Sequence, residues 1–295
     1  HRDLHRLIRR QRQMCIRDRT ISKKIQARKD VMNITENLQK IREQKPLIHH
    51  ITNWVTIYDC ANIVRVIGGL PVMAHAPEEV EQMTSISSAL VLNIGTLTVD
   101  LIKSMILAGR KANEKNIPVI LDIVGAGATD LRTNKAEEIL NKVNISILKG
   151  NSSEIGTIAG VEAETRGVEA ISVKGNLVEI AKKLAHKKEL TVVITGKEDI
   201  ISNGKDVYIC KNGHPMMGCF VGSGCMAASA IGTFAAVEKN YTLASANALS
   251  LLGIAGELAV KTAKGPETYK VNFLDKIFNL DEDLIEKMKK IIKIE

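Results

Sequence analysis

The chain has 295 residues, of which 45% are hydrophobic and 25% are charged, a composition typical of soluble globular proteins. Only 3% of the residues are aromatic, which argues against a surface that stacks on single-stranded nucleic acid. The net charge is +8, but residues 1–30 hold eight Arg and three Lys against three Asp, a net charge of +5, so the other 265 residues carry only +3. That small excess does not indicate a nucleic-acid-binding protein.

The cysteines and the hydropathy of the chain indicate the cellular compartment of the protein. The five cysteines, at positions 15, 60, 210, 219 and 225, form no CxxC pair, and no secretory signal precedes them. We therefore expect reduced thiols in a cytoplasmic protein. No uninterrupted apolar run reaches the roughly 18 residues of a membrane-spanning helix, so we expect no membrane contact.

Residues 1–31 differ from the rest of the chain. Arg is dense there, and the segment 12–19 resembles translated sequencing-adapter read-through more than protein. We expect a native start at Met32 and a basic, disordered or non-native extension before it. A basic transit peptide and an RNA-binding arm are the alternatives, although Asp3, Asp18 and the lack of a Ser-rich pattern weaken the first of these.

The first predicted elements are a helix and a strand. Apolar residues spaced by four and three predict a helix over Ile34–Lys45, which Pro46 ends. The β-rich run 47–56 follows. Within it, His49 and His50 are adjacent and so point to opposite faces of a strand, which argues against a shared metal ion.

Strands and helices then alternate. The predicted strands are Pro71–Ala74, Ala89–Ile94, Ile117–Asp122, Ile145–Leu148 and Leu190–Ile194. The predicted helices are Tyr58–Ile67, Pro77–Met83, Asp100–Asn113 capped by Thr98, Asn134–Asn141, a helix through Ala159, Val178–Ala185, a helix to about Val237, Leu243–Lys261 and a charged C-terminal helix. Asn203-Gly204 predicts a hairpin between Asp199–Ser202 and Asp206–Cys210.

This order predicts the fold class. Continuous apolar strands separated by helices are typical of a mainly parallel sheet that is buried on both faces. No internal repeat and no linker rich in Pro, Gly or Ser interrupts the chain after residue 32. We therefore expect one α/β domain over residues 32–295.

Polar residues follow the strands at their carboxyl ends. These are Asn53, Asp122, Lys149, Glu154 and Thr195. In open α/β sheets ligands bind at that edge, so we expect these side chains to converge, although each could instead be a capping or loop residue. Asp122 and Glu154 would hold Mg²⁺ through water molecules. Lys149 would offer a positive charge to phosphates. Thr195 would belong to a loop that contacts ATP.

A glycine loop precedes a small-residue helix at Gly222-Ser223-Gly224-Cys225. Glycines permit positive φ, and a helix start offers unpaired N–H groups, so Gly222, Ser223 and Gly224 predict an anion hole. A thiol at a helix start ionises more easily than a free one, which makes Cys225 a candidate base or nucleophile. The alternative is a glycine turn followed by a small buried Cys.

Two other nucleotide-binding motifs do not apply. The segment 125–130 begins like a dinucleotide fingerprint but lacks the third Gly and lies far from the N-terminus. A Walker A loop is absent from the sequence, so a nucleotide would bind through another arrangement.

Six segments, in this order, resemble the hydroxyethylthiazole kinase family, a thiamine-salvage branch of the ribokinase-like superfamily. They are residues 49–53, 71–74, 93–96, 122–128, 150–154 and 222–225, within a resemblance that covers about residues 33–265. The resemblance implies a ribokinase-like fold. It also implies ATP-dependent phosphorylation of the hydroxyl of 4-methyl-5-(2-hydroxyethyl)thiazole, with Mg²⁺, and a homotrimer with active sites at subunit interfaces.

Residue roles follow from the same resemblance. It assigns Met73 and Gly222 to the thiazole pocket, with Asn53 near the thiazole or the phosphates. Lys149 and Thr195 fall at ATP-contacting positions, and Cys225 replaces the Asp base of sugar-kinase relatives.

The resemblance also places Asp122 and Glu154 near Mg²⁺ and the phosphates. Two residues depart from the family pattern, Ile123 in place of Pro and Ser223 in place of Thr, and neither change removes a charged or catalytic group.

Two competing functions stay open at this point. A ribokinase-like enzyme for a pyrimidine or sugar alcohol would share the fold, but Cys225 in place of Asp argues against it. A protein that binds thiazole or nucleotide without catalysis would bind its ligand without consuming ATP.

Overall fold

The fold is built around a central sheet, and its central strands are buried as the sequence predicts. The computed structural model describes residues 33–161, 163–166, 169–173 and 175–294, with side chains described outside 162–174. From Ile34 onward the chain forms one compact unit. The predicted extension over residues 1–31 lies outside the described residues and stays a prediction.

Eleven strands and eleven helices are present in the described residues. The strands are β1 Leu47–Ile51, β2 Leu70–Val72, β3 Ala89–Asn93, β4 Val119–Asp122, β5 Ile147–Asn151, β6 Ala163–Arg166, β7 Glu169–Val173, β8 Thr191–Thr195, β9 Asp199–Ser202, β10 Val207–Cys210 and β11 Ile291–Lys293. The helices are α1 Ile34–Gln44, α2 Ile57–Ile67, α3 Val80–Ser85, α4 Val99–Glu114, α5 Asp130–Lys142, α6 Ser152–Ile158, α7 Leu177–Lys188, α8 Ser223–Ala235, α9 Tyr241–Ala259, α10 Pro266–Phe278 and α11 Glu282–Met288.

Nine strands form one sheet in the order β11-β10-β9-β8-β5-β4-β3-β1-β2. The six strands from β8 to β2 run parallel, whereas β9, β10 and β11 join antiparallel. Every residue of β3 and β4 is buried, as expected for strands covered on both faces. The predicted mainly parallel α/β fold is confirmed, and the carboxyl ends of its parallel strands share one edge.

The hairpin prediction is also confirmed. β9 and β10 pair antiparallel, and Gly204 between them has a φ of +89°. The Asn203 side chain accepts hydrogen bonds from the backbone N–H groups of Lys205 and Asp206, which closes the turn.

The prediction of one charged C-terminal helix is wrong. The segment contains two helices, α10 and α11, because Asp281 caps a new helix by accepting a hydrogen bond from the N–H of Leu284. The chain then adds β11 to the edge of the sheet beside β10. The sequence prediction also lacked the β6–β7 hairpin and a 3₁₀ turn at Pro215–Cys219.

Helix α9 is the one helix in the described part of the chain that is long and apolar enough by composition to cross a membrane. Its apolar window is 94% buried inside the fold, where it packs against α8 and α10. Ser, Asn and Gly interrupt its apolar residues, so the sequence shows no continuous apolar run. Its composition is that of a core helix.

Candidate active site

A row of polar side chains lies across the carboxyl ends of three adjacent strands. Asn93 on β3 is the register partner of Asp122 on β4, and Asp122 is in turn the partner of Lys149 on β5. Residues in register on neighbouring parallel strands point to the same face, so the three side chains meet. The sheet thereby assembles groups that are far apart in sequence.

Asp122 and Lys149 form an ion pair inside the protein. Lys149 Nζ donates to Asp122 Oδ1 at 3.0 Å, and the two residues are 0% and 4% exposed. Burial by itself lowers the pKa of Lys149, but the negative charges of Asp122 and Glu154 outweigh that effect, so the pKa is raised and the ammonium stays charged. A buried pair of this kind is stable only when both partners are present.

The sulfur of Cys225 lies between two side-chain amides. Asn53 Nδ2 and Asn93 Nδ2 each donate to Cys225 Sγ at 3.3 Å. The Asn93 amide also donates to Asp122 Oδ2 at 2.9 Å. The thiol is therefore connected to the Asp122–Lys149 pair through a single side chain.

Backbone contacts fix the orientation of both amides. Asn53 Oδ1 accepts from the N–H of Thr56 at 3.0 Å, and Asn93 Oδ1 accepts from the N–H of Gly95 at 2.9 Å. A backbone N–H can only donate, so the side-chain oxygen must face it and the NH₂ group must face Cys225. The sulfur consequently accepts from both sides.

Gly222 shapes the loop that opens α8. Its φ is +104°, and a Cβ there would lie 2.9 Å from Thr56 Cγ2, so the position requires glycine. The N–H groups of the first turn of α8 have no acceptors within the helix, which leaves them for an anion. Residues 222–225 are half-buried, whereas the next residues of the helix are buried.

Lys149 reaches the same loop from the sheet. A Cβ on Gly224 would lie 3.3 Å from Lys149 Nζ, so the ammonium lies directly against the start of α8. The positive end of the helix and the ammonium therefore face one point, next to Cys225. That arrangement suits a group with several negative oxygens.

Glu154 accepts a hydrogen bond from the loop that follows β4. Its Oε1 accepts from the N–H of Gly125 and its Oε2 from the N–H of Asn151, both at 2.7 Å, the second as part of a capping box on α6. Burial, the largest effect, raises the pKa of Glu154 to about 7 against the pull of Lys149.

The two predicted metal carboxylates are already engaged. All four oxygens of Asp122 and Glu154 accept hydrogen bonds from Lys149, Asn93 or backbone N–H groups. No group of three His, Cys, Asp or Glu side chains is arranged to hold a metal ion in the ranges that the structure describes. The carboxylates fit Mg²⁺ through its water shell, a mode that Mg²⁺ commonly uses beside phosphates.

A cavity of about 640 Å³ opens beside the start of α8. Its walls include Thr195 at the end of β8, the adjacent Gly196, Ser223 and Gly224, and the loop after β10. That volume lies in the range of small-molecule sites. A larger cavity, of about 810 Å³, lies around the opposite ends of the strands, but none of the groups described above lines it.

Met73 and the two histidines lie to one side of this cluster. Met73 follows β2, and its carbonyl oxygen is 3.2 Å from His75 Nδ1. His49 contacts Thr84 and a backbone carbonyl, while His50 contacts Ser229 on the other face of the sheet. The opposite-face prediction for the adjacent histidines is confirmed.

The structure brings Asn53, Asp122 and Lys149 together with Cys225 of the Gly222 loop, as the strand-end pattern predicts. The charge of Glu154 acts on Lys149 in the same cluster, whereas Thr195 lines the neighbouring 640 Å³ cavity. The structure adds Asn93, which the sequence reasoning did not select as a site residue. The available signal was an amide that ends a fully apolar strand, the same signal that singled out Asp122.

Comparison with known proteins identifies the family. Residues 38–283 match the model of the hydroxyethylthiazole kinase family. A hydroxyethylthiazole kinase from Methanosarcina mazei is 56% identical over 254 residues, covering 86% of this chain and 97% of the relative. One from Thermoanaerobacter pseudethanolicus is 52% identical over 258 residues, covering 87% and 98%.

Solved structures agree as well. A hydroxyethylthiazole kinase from Pyrococcus horikoshii superposes with a TM-score of 0.81 at 37% identity, covering 89% of this chain and 99% of that one. A pyridoxal kinase from Staphylococcus aureus, at 13% identity and a TM-score of 0.53 over 72% of this chain and 88% of its own, shares the ribokinase-like fold alone. The chain belongs to the hydroxyethylthiazole kinase family.

Proposed function

We propose that this enzyme transfers the γ-phosphoryl group of ATP to the hydroxyl of 4-methyl-5-(2-hydroxyethyl)thiazole, giving the thiazole phosphate and ADP in thiamine salvage. Family membership and the names of the relatives support the activity. The observation that carries the mechanism is the thiol of Cys225 at the open end of α8, beside the Lys149 ammonium.

Cys225 acts on the substrate hydroxyl. Its sulfur accepts hydrogen bonds from two amides, which hold it in one place. A thiolate is a much weaker base than an alkoxide, so it cannot fully deprotonate an alcohol before the transfer. The main task of Cys225 is to orient the hydroxyl and take up its proton as the new P–O bond forms.

The phosphoryl group is stabilised by charge and position. Phosphoryl transfer needs alignment and charge neutralisation more than covalent chemistry. The N–H groups of Gly222, Ser223 and Gly224 form the anion hole, and Lys149 contributes a positive charge on the nucleotide side. Thr195, beside the 640 Å³ cavity, contacts ATP.

Asp122 and Glu154 hold Mg²⁺ through water molecules. The ion, when bound with ATP, neutralises phosphate oxygens. Two carboxylates against one ammonium leave this buried cluster one negative charge in excess when both are ionised, which a cation offsets. Burial raises the pKa of Glu154 to about 7, and the negative charge of Asp122 adds to that effect, whereas Lys149 opposes it.

The thiazole lies on the other side of Cys225. Gly222 forms the turn beside it, and Asn53, which already holds the sulfur, borders the same space. Met73 closes the thiazole pocket from the loop after β2. Free thiols at Cys60, Cys210, Cys219 and Cys225 agree with a cytoplasmic enzyme.

We also propose a homotrimer with the active sites at subunit interfaces. Three apolar side chains directly after Asn53 are exposed, Trp54 by 56%, Val55 by 66% and Tyr58 by 75%. Val221, next to the anion hole, is 68% exposed. Apolar groups clustered around a site are typical of an interface. Light scattering of the purified protein tests this, since a monomeric mass in an active sample contradicts it.

The direct test of the activity is ATP consumption by protein that starts at Met32, with Mg²⁺, with and without the thiazole alcohol. We expect ADP release that depends on the thiazole. Thiazole binding without ADP release would identify a sensor or an altered substrate, and a screen of other heterocyclic alcohols would separate these two outcomes.

A further inference from the structure

One wall of the 640 Å³ cavity is a loop, residues 211–218, which follows β10. We call it the wall loop. Asn212, Gly213, His214 and Met217 line the cavity from this loop, and Thr195 lines it from β8. The loop has no sheet partner on its cavity side in the described ranges, so other contacts must fix its position.

Helix α9 supports the wall loop at very short range. A Cβ on Gly253 would lie 2.5 Å from the carbonyl carbon of Asn212, and a Cβ on Gly256 would lie 2.8 Å from Met217 Sδ. These two glycines, one helical turn apart, therefore allow the Asn212 backbone and the Met217 side chain to lie directly against the helix. These contacts with α9 set the position of the wall loop at the edge of the cavity.

The Asn212 side chain ties three segments together. Its Oδ1 accepts from Ser250 Oγ on α9 at 2.9 Å and from the N–H of Lys290 at 2.7 Å. Its Nδ2 donates to Glu257 Oε1 at 3.0 Å and to the carbonyl oxygen of Met288 at 2.9 Å. The amide thus uses its two donors and two acceptor positions, and the residue is 6% exposed.

Two of those four partners belong to the C-terminal tail, residues 288–293. The carbonyl oxygen of Lys290 also accepts from the N–H of Lys211 at 2.9 Å, directly before β11 pairs with β10. The tail lies beyond residue 283, where the match to the family model ends. The wall loop is therefore held in place by hydrogen bonds from the C-terminal tail, which lies outside the part of the chain that matches the family model.

We infer that Asn212 is a positioning residue for nucleotide binding, which couples the C-terminal tail to the wall of the cavity. The inference rests on the proposed function in taking the cavity as the ATP site. The tail acts through the N–H of Lys290 and the carbonyl of Met288. The Lys290 ammonium, which pairs with Glu257 at 2.8 Å, has a side chain that is 53% exposed and contributes little.

A matched pair of variants isolates the backbone contact. Lys290→Ala and Lys290→Pro both remove the ammonium, but only proline removes the N–H that Asn212 accepts. The preceding residue, Lys289, has a ψ of 132°, which a residue before proline readily adopts. Asn212→Ala removes the whole connection from the loop side.

The measurement is calorimetric titration of the full chain with the non-hydrolysable analogue AMP-PCP, together with separate KM values for ATP and for the thiazole alcohol. We expect Lys290→Pro and Asn212→Ala to weaken AMP-PCP binding about five- to tenfold, and Lys290→Ala no more than about twofold. The double variant Asn212→Ala/Lys290→Pro should be no weaker than Asn212→Ala alone, because both break one connection. The KM for the thiazole alcohol should stay unchanged.

Equal AMP-PCP affinity in Lys290→Pro and Lys290→Ala would overturn the inference, as would a KM for the thiazole that rises as much as the KM for ATP. If Asn212→Ala does not fold, the two Lys290 variants carry the test by themselves. Absence of thiazole-dependent ADP release in the wild type would refute the proposed function, while the AMP-PCP titration would still decide the role of Asn212.

Discussion

At the scale of single residues, the site is a chain of hydrogen bonds that leads from a thiol to a buried ion pair. Cys225 accepts from Asn93, Asn93 donates to Asp122, and Asp122 accepts from Lys149. Each member limits the orientation of the next, so the sulfur is positioned before any substrate arrives. Preorganisation of this kind reduces the cost of aligning the reacting groups.

Substitution of Cys225 should separate orientation from proton transfer. We expect Cys225→Ser to lower kcat by on the order of a hundredfold without abolishing it, and Cys225→Asp to be tolerated, since a carboxylate also accepts from Asn53 and Asn93. Steady-state kinetics measures this, with Cys219→Ser, an exposed cysteine, as the control. A wild-type rate in Cys225→Ala would refute a role as base.

Asn93 makes the second prediction at this scale. Asn93→Ala removes the donors to Cys225 and Asp122, so we expect kcat to fall by about tenfold or more. Asn93→Asp should be worse, because it places a second carboxylate beside Asp122. Asn113→Ala, whose amide contacts Asn144 near the opposite ends of the strands, is the control. Unchanged kcat in both Asn93 variants would show that the amide does not position the thiol.

At the scale of elements, the start of α8 determines where the anion hole lies. Gly222→Ala forces a side chain into a left-handed φ of +104° and against Thr56, at a cost of about 1–3 kcal/mol. We expect a lower midpoint in urea denaturation and a raised KM for the thiazole alcohol. Gly265→Ala is the control, because its added Cβ meets no atom within 4 Å. A Gly222→Ala enzyme with wild-type KM and midpoint would contradict this account of the loop.

Local elements were predictable, and non-local ones were not. Asn203-Gly204 specifies its own hairpin, and Thr98 caps α4 by accepting from the N–H of Leu101, so short-range patterns suffice for both. β11 forms because β10 offers an open edge, a partner more than 80 residues earlier in the chain. A three-residue strand after a charged helix carries no local signal of that pairing.

At the scale of the whole molecule, two buried histidines make folding sensitive to acid. Burial, the largest effect, lowers the pKa of His50 to about 3 and that of His49 to about 4. In the unfolded chain both titrate near the usual histidine pKa of about 6.5. The unfolded state therefore binds protons first as the pH falls below about 6.5, and stability is lost from there down to the folded pKa values.

The prediction is a difference in the pH dependence of the unfolding free energy between the wild type and a histidine variant. Between pH 7 and pH 5 the wild type should lose about 2 kcal/mol more unfolding free energy than His50→Gln, which has no imidazole to protonate. Urea denaturation at several pH values measures this. His186→Gln, at an exposed histidine, should keep the wild-type slope. Parallel pH profiles for wild type and His50→Gln would show that His50 does not carry the effect.

The sequence by itself determined the alternation of strands and helices along most of the chain, the burial of the parallel strands and the positions where polar residues end them. These follow from hydrophobic periodicity and turn chemistry, which act over a few residues. Asn53, Asp122, Lys149 and Thr195 were identifiable because a polar group after an apolar strand must lie at the sheet edge. Gly222 and Cys225 were identifiable from the loop that opens a helix.

Only the tertiary structure decided which hydrogen-bond and ion-pair partners those residues have. The register of β3, β4 and β5 places Asn93 beside Asp122 and directs Lys149 to that carboxylate. The backbone N–H groups of Gly125 and Asn151 occupy both oxygens of Glu154. Hydrogen-bond partners depend on distances of a few tenths of an ångström between segments far apart in sequence, and only packing sets those distances.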